Sequence, residues 1–64
     1  LTPAEKELVS FLLQGYKIRE IANLRYVEIG TIKTQIHSLL RKFECRRTSE
    51  VVKTIEELGI TELF

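Results

Sequence analysis

The sequence predicts a small all-α domain of four helices. Apolar residues recur at helical spacing in four separate blocks of the 64-residue chain, and its single proline and three glycines lie near the ends of those blocks. Because a chain of this size buries only about 60% of its unfolded surface, we expect a piece of a longer protein or half of a dimer. The chain has no methionine, so we further expect a domain separated from its natural start.

The first block carries both a start signal and a stop signal. Thr2 and Glu5 match a capping box, in which each side chain bonds the backbone N–H of the other, and Pro3 occupies the first helical position. Apolar residues then recur at intervals of three and four, and Gly15 stands where a left-handed residue would end the helix. The block predicts a helix over about 3–14.

The second and third blocks form a pair. A short apolar stripe predicts a helix over about 18–25, and Gly30 follows closely enough to predict a turn near 26–29. The third block predicts a helix over about 30–43, with one continuous apolar stripe of Ile32, Ile36, Leu39, Leu40 and Phe43. A short helix, a tight turn and a longer amphipathic helix make up the helix-turn-helix unit.

The fourth block predicts a helix over about 49–58 that ends at Gly59. Either Thr48 or Ser49 can serve as its N-cap. The four helices together form a compact helix-turn-helix domain over 1–64. Its predicted core consists of Leu8, Leu12, Ile21, Ala22, Ile32, Ile36, Leu39, Leu40, Phe43, Val52 and Ile55, with Tyr16, Tyr26 and Cys45 packed around it.

Charge is distributed unevenly along the chain. The net charge is only +1, but residues 16–47 carry +5 while residues 48–64 carry −3. The third predicted helix contributes a row of Lys33, His37 and Arg41 spaced by four, which places them on one face. No carboxylate interrupts that helix, so the pattern favours a polyanionic partner and predicts binding to double-stranded DNA.

The order and spacing of several short motifs resemble one known family. These motifs are LTPAEKELV at 1–9, QG at 14–15, EIA at 20–22, GTIKT at 30–34 and LLRKF at 39–43. Together they resemble the LuxR/FixJ-type (GerE-like) helix-turn-helix family over positions 1 to about 52. The resemblance implies a four-helix DNA-binding domain of a transcription regulator, one that dimerises, often through its fourth helix.

The resemblance also implies roles for individual residues. The predicted base contacts are Lys33, Thr34 and His37, whose side chains suit recognition of base edges. The predicted phosphate contacts are Arg19, Thr31, Gln35 and Lys42, to which the cationic row adds Arg41. The predicted dimer contacts are Val51, Ile55 and Leu58 of the fourth helix.

This chain departs from the family pattern at four positions. Glu28 stands where the family usually has the Ser or Thr that caps the recognition helix. Arg25 replaces a leucine, Gln35 replaces a histidine, and Glu44 replaces the glycine that commonly ends the recognition helix.

Two alternative functions remain open at this point. The motif GTIK at 30–33 also resembles the domain of sigma factors that reads the promoter −35 element, and this interpretation predicts RNA polymerase as a partner. The fourth predicted helix argues against it, because that domain usually ends soon after its recognition helix. The other alternative is a helical protein-interaction module on the same scaffold, suggested by the low net charge, Glu28 and the apolar tail 60–64.

Enzymatic chemistry has no support in the sequence. There is no aspartate, no glycine-rich phosphate loop and no nucleophile beside a base. A single histidine and a single cysteine cannot supply the four ligands of a structural zinc site, so we expect no metal and no cofactor. No apolar run approaches the roughly 20 residues that span a bilayer. With no secretion signal and one cysteine, the sequence predicts a cytoplasmic protein without membrane contacts.

Overall fold

Four helices account for most of the chain in the computed structural model, which describes all 64 residues. These are α1 (Pro3–Leu13), α2 (Ile18–Arg25), α3 (Ile29–Phe43) and α4 (Thr48–Leu58), and a 3-10 turn at Thr61–Leu63 follows them. There is no β-strand, so the predicted all-α four-helix fold is confirmed. The predicted boundaries differ from the observed ones by no more than one residue.

The start signals behave differently in the first and last helices. At α1 the backbone N–H of Glu5 donates to Thr2 Oγ1 at 3.2 Å, and Glu5 Oε1 accepts from the N–H of Thr2 at 2.9 Å, so the capping box is confirmed. At α4 the predicted cap is wrong. Arg47 occupies the N-cap without a side-chain hydrogen bond, and Thr48 is already helical.

All four helices contribute to one hydrophobic core. Helix α2 packs mainly on α3, and α1 contacts both α3 and α4. The nine buried apolar residues are Leu8, Val9, Ile21, Ala22, Ile32, Ile36, Leu39, Val51 and Ile55. The sequence prediction missed Val9 and Val51. Four predicted core residues lie at the edge, half-buried: Leu12, Leu40, Phe43 and Val52.

Two of the predicted dimer contacts need correction. Val51 and Ile55 have no exposed surface, because the apolar stripe of α4 closes the core against α1 and α3. A domain this small needs that stripe for its own interior. Of the three predicted dimer contacts, only Leu58 lies at the surface, with 64% of its area exposed.

Every helix ends in the same pair of backbone hydrogen bonds, the Schellman motif. At the end of α1, the N–H of Tyr16 donates to Phe11 O at 3.1 Å and the N–H of Gly15 donates to Leu12 O at 3.0 Å. The rings of Phe11 and Tyr16 meet edge to face at 5.6 Å, which supplies the apolar contact that accompanies this motif.

The left-handed residue of the motif is a glycine in only two of the four helices. Gly15 and Gly59 end α1 and α4, but Tyr26 (φ 56°) and Glu44 (φ 55°) take the same position after α2 and α3. A residue with a Cβ is destabilised by roughly 1–2 kcal/mol in the left-handed region of backbone conformation. Tyr26 is also 94% exposed, so the prediction that it packs on the core is wrong. Tyr26 lies in the turn after α2, beyond the end of the apolar stripe of that helix.

Glycine at position 44 is expected to stabilise the domain. Glu44→Gly should raise the free energy of unfolding by about 1 kcal/mol, because relief of left-handed strain outweighs the added freedom of the unfolded chain. Urea unfolding followed by circular dichroism measures this. Glu44→Ala is the matched control, since it removes the same carboxylate but keeps a Cβ. Equal stabilisation by alanine would show that charge, and not backbone strain, is responsible.

Candidate nucleic-acid interface

The polar face of α3 is open to solvent along its length. Lys33, Thr34 and His37 are all exposed and line one shallow depression. One turn further along the helix, a second depression is lined by Ser38, Arg41 and Lys42. The three predicted base-contact residues therefore lie together on one surface, and α4 covers none of them.

The opposite face of α3 holds the helix in this orientation. Ile32, Ile36 and Leu39 are buried in the core, so the residues between them project outward. At the start of the helix, Glu28 makes no side-chain capping bond, but its carbonyl accepts from the N–H of Thr31 at 3.0 Å. The first turn of α3 therefore has its backbone hydrogen bond but no side-chain cap.

Lys42, a predicted phosphate contact, is bound to an acid from α1. Its Nζ lies 2.7 Å from Glu5 Oε1, and 47% of its side-chain surface is exposed. Only 6% of the area of Glu5 is exposed. Its Oε1 also accepts hydrogen bonds from Thr2 N and Thr2 Oγ1, each at 2.9 Å. The hydrogen bond from Lys42 and those from Thr2 lower the pKa of Glu5 from its ordinary 4.5 to about 2. The carboxylate is therefore ionised at neutral pH.

Gln35, another predicted phosphate contact, is bound to Arg25. The guanidinium of Arg25 donates from Nη1 to Gln35 Oε1 at 2.6 Å and pairs through Nε with Glu7 Oε1 at 2.9 Å. Only 14% of the Arg25 side chain is exposed. This group links α1, α2 and α3. The sequence marked Arg25 only as a replacement for leucine. The signal it offered was that a cation in place of an apolar residue requires partners if it is buried.

The remaining predicted phosphate contacts are free of ion pairs. Arg19, Thr31 and Arg41 are exposed, and the three ion pairs of the chain involve neither of these arginines. Thr34, on the base-contact surface, donates its hydroxyl to Gly30 O at 3.0 Å. Its oxygen can still accept a hydrogen bond, and its methyl group remains available for apolar contact.

The single cysteine of the chain lies outside this surface. Cys45 is half-buried and packs against the core as predicted, with Sγ 3.3 Å from Phe43 O. No group of three or more His, Cys, Asp or Glu side chains is arranged to hold a metal ion. None of the helices combines the length and apolar character needed to span a bilayer.

Two kinds of characterised protein are similar to the chain. The tetrathionate response regulatory protein TtrR of Salmonella typhimurium is 27% identical over 62 residues, which is 97% of this chain and 30% of that protein. The response regulator protein VraR of Staphylococcus aureus is 33% identical over 52 residues, which is 81% of this chain and 25% of that protein. These relatives support the resemblance to the LuxR/FixJ-type (GerE-like) helix-turn-helix family.

The similarity covers only part of each relative. VraR of Staphylococcus epidermidis gives the same 33% identity over 52 residues. The chain spans about a quarter to a third of the length of the relatives it matches. No protein-family model and no solved structure matches the chain. The resemblance to the family therefore rests on the fold, the order of the motifs and these relatives together.

Acid is expected to destabilise the domain through Glu5. The pKa of this carboxyl is lower in the folded chain than in the unfolded chain, so its contribution is complete above about pH 5 and is lost as the pH falls towards 2. Urea unfolding from about pH 6 to about pH 2 should show a smaller loss of stability for Glu5→Gln than for the unaltered chain. Lys42→Met should make the loss smaller and complete it at a higher pH, because it removes the strongest cause that lowers the pKa of Glu5 in the folded chain. Parallel curves for all three proteins would contradict this assignment.

Proposed function

We propose that this chain is the DNA-binding domain of a transcription regulator and that it places α3 in the major groove of duplex DNA. The observation that supports this proposal is the open polar face of α3, which carries Lys33, His37 and Arg41 and no carboxylate. A major groove about 12 Å wide admits an α-helix. Similarity to response regulators is consistent with this role.

Base recognition is assigned to the middle of α3. Lys33 can donate to the O6 and N7 atoms of guanine, and His37 can donate or accept according to its tautomer. Thr34 donates its own proton to Gly30 O, so it meets a base as an acceptor or through its methyl group. The natural partners of Thr34 are therefore an exocyclic amino group or the methyl group of thymine.

Phosphate binding is assigned to the residues around that surface. These are Arg19, Thr31, Gln35, Arg41 and Lys42. The ammonium group of Lys42 has three donor hydrogens, so it can hold Glu5 and a phosphate oxygen at the same time. Phosphate contacts of this kind set the position of a protein on DNA, whereas base contacts set the sequence preference.

A homodimer on paired half-sites is part of the same proposal. One helix-turn-helix module offers a small interface, and dimers of such modules bind half-sites about one helical turn apart. Leu58 is the exposed apolar residue on α4 and is the proposed centre of the dimer contact. The presence of α4 also favours this function over a sigma-type promoter-reading domain, for which RNA polymerase would be the partner.

Three matched alanine variants test the DNA interface. Lys33→Ala should weaken binding to a selected duplex by about 1–3 kcal/mol and relax its sequence preference. Arg41→Ala should weaken binding to all duplexes and reduce the slope of log affinity against log salt by about one. Lys53→Ala is the control, because it removes an exposed cation from α4. Gel shifts over a salt series measure all three.

The results of that series can also reject the proposal. If Lys33→Ala and Arg41→Ala bind like the unaltered chain, α3 is not in the interface. If the unaltered chain has no affinity for random duplex DNA even at low salt, the protein-interaction module is the better interpretation. Arg41 is preferred to Lys42 for this test because Lys42→Ala would also remove the partner of buried Glu5.

Leu58→Lys tests the dimer. We expect this substitution to lower the dimer fraction in sedimentation equilibrium and leave the fold intact, since the side chain is 64% exposed. Leu24→Lys makes the same change on α2, where 50% of the side chain is exposed, and should leave association unchanged. Equal association of the two variants would place the dimer contact elsewhere.

A further inference from the structure

Arg25 holds two partners through two different nitrogens. Glu7 on α1 binds Nε at 2.9 Å, and Gln35 on α3 binds Nη1 at 2.6 Å. Because the guanidinium is planar and rigid, fixing Nε also fixes the direction of Nη1. Glu7 therefore determines where Arg25 presents its donor to Gln35.

The chemistry of the two groups allows only one orientation of the Gln35 amide. A guanidinium has donors and no acceptor, whereas an amide has an accepting oxygen on one side and a donating NH₂ group on the other. Only the oxygen of Gln35 can face Arg25. The NH₂ group must then point away from Arg25, whichever way an isolated glutamine at this position would turn.

The NH₂ group of Gln35 lies at the protein surface. Nε2 has no hydrogen-bond partner within the chain, and no buried side-chain nitrogen or oxygen lacks one, so Nε2 is not buried. Thr31, exposed one helical turn earlier, lies on the same side of α3. A DNA phosphate oxygen only accepts hydrogen bonds, so an outward NH₂ group suits it and an outward carbonyl oxygen would not.

We propose that Arg25, oriented by Glu7, is a positioning residue that commits Gln35 to donate a hydrogen bond to a DNA phosphate. Arg25 acts through Gln35 and does not itself contact DNA. This inference rests on the proposed function, because it assigns a role within the same interface. It also assigns a function to Arg25, which stands where the family has a leucine.

A double-mutant cycle tests the proposal with the unaltered chain as reference. Arg25→Met and Gln35→Ala should each weaken binding to a fluorescein-labelled mixed-sequence duplex about five- to tenfold. The double variant should bind no more weakly than either single variant, since the two residues act as a unit. The salt slope should stay unchanged in all three, because the lost contact is made by a neutral amide.

Glu7→Gln separates positioning from general electrostatics. Removing a carboxylate would by itself strengthen DNA binding, so Glu56→Gln, which makes the same change on α4, should bind equally or slightly more tightly. Glu7→Gln should instead bind about twofold more weakly, and the Gln35→Ala background should abolish that effect. Glu7 is 55% exposed, so this variant tests the proposal even if Arg25→Met fails to fold.

Three results would overturn the inference while leaving DNA binding established. The first is a salt slope reduced by about one in Arg25→Met, which would mean that Arg25 binds phosphate directly. The second is a double variant whose loss of affinity equals the product of the losses in the two single variants. The third is Glu7→Gln binding as tightly as Glu56→Gln. Failure of the unaltered chain to bind any duplex would instead reject the proposed function itself.

Discussion

Burial of one face of α3 is the constraint on which the rest of the structure depends. Ile32, Ile36 and Leu39 occupy the centre of a core that contains only nine apolar residues. Because that face is fully used, the remaining polar face must meet solvent or a partner. Helix α4 does not cover the polar face of α3, because the apolar stripe of α4 is buried in the same core. The candidate interface is therefore a consequence of how a very small core is closed.

Helix α1 contributes to the interface without belonging to it. Glu5 completes the cap of α1 and also holds Lys42 near the end of α3. Glu7, on the outside of the same helix, holds Arg25 and through it Gln35. Two acids from one helix thus set the positions of two candidate phosphate-binding side chains. Acidic residues therefore position side chains of the basic surface, although in a count of net charge they argue against DNA binding.

The sequence predicted what depends on neighbours along the chain. Helix limits followed from apolar spacing, the capping box and the glycines, and each was within one residue of the structure. The open face of α3 followed from the same spacing. Contacts between distant segments could not be predicted in this way. Glu5 and Lys42 are 37 positions apart, and no local pattern pairs them. Nor could the stripe of α4 reveal whether Val51 and Ile55 close the core or meet a second copy.

The turns before and after α3 each contain a residue with a Cβ at positive φ: Tyr26, which directly follows α2, and Glu44, which directly follows α3. The corresponding positions after α1 and α4 are glycines, Gly15 and Gly59, which adopt positive φ without a Cβ clash. The helix proposed to enter the groove therefore lies between the two turns that carry backbone strain. Strain of this kind persists only where the surrounding packing holds it, so both turns depend on the burial of Ile32, Ile36 and Leu39 in the core.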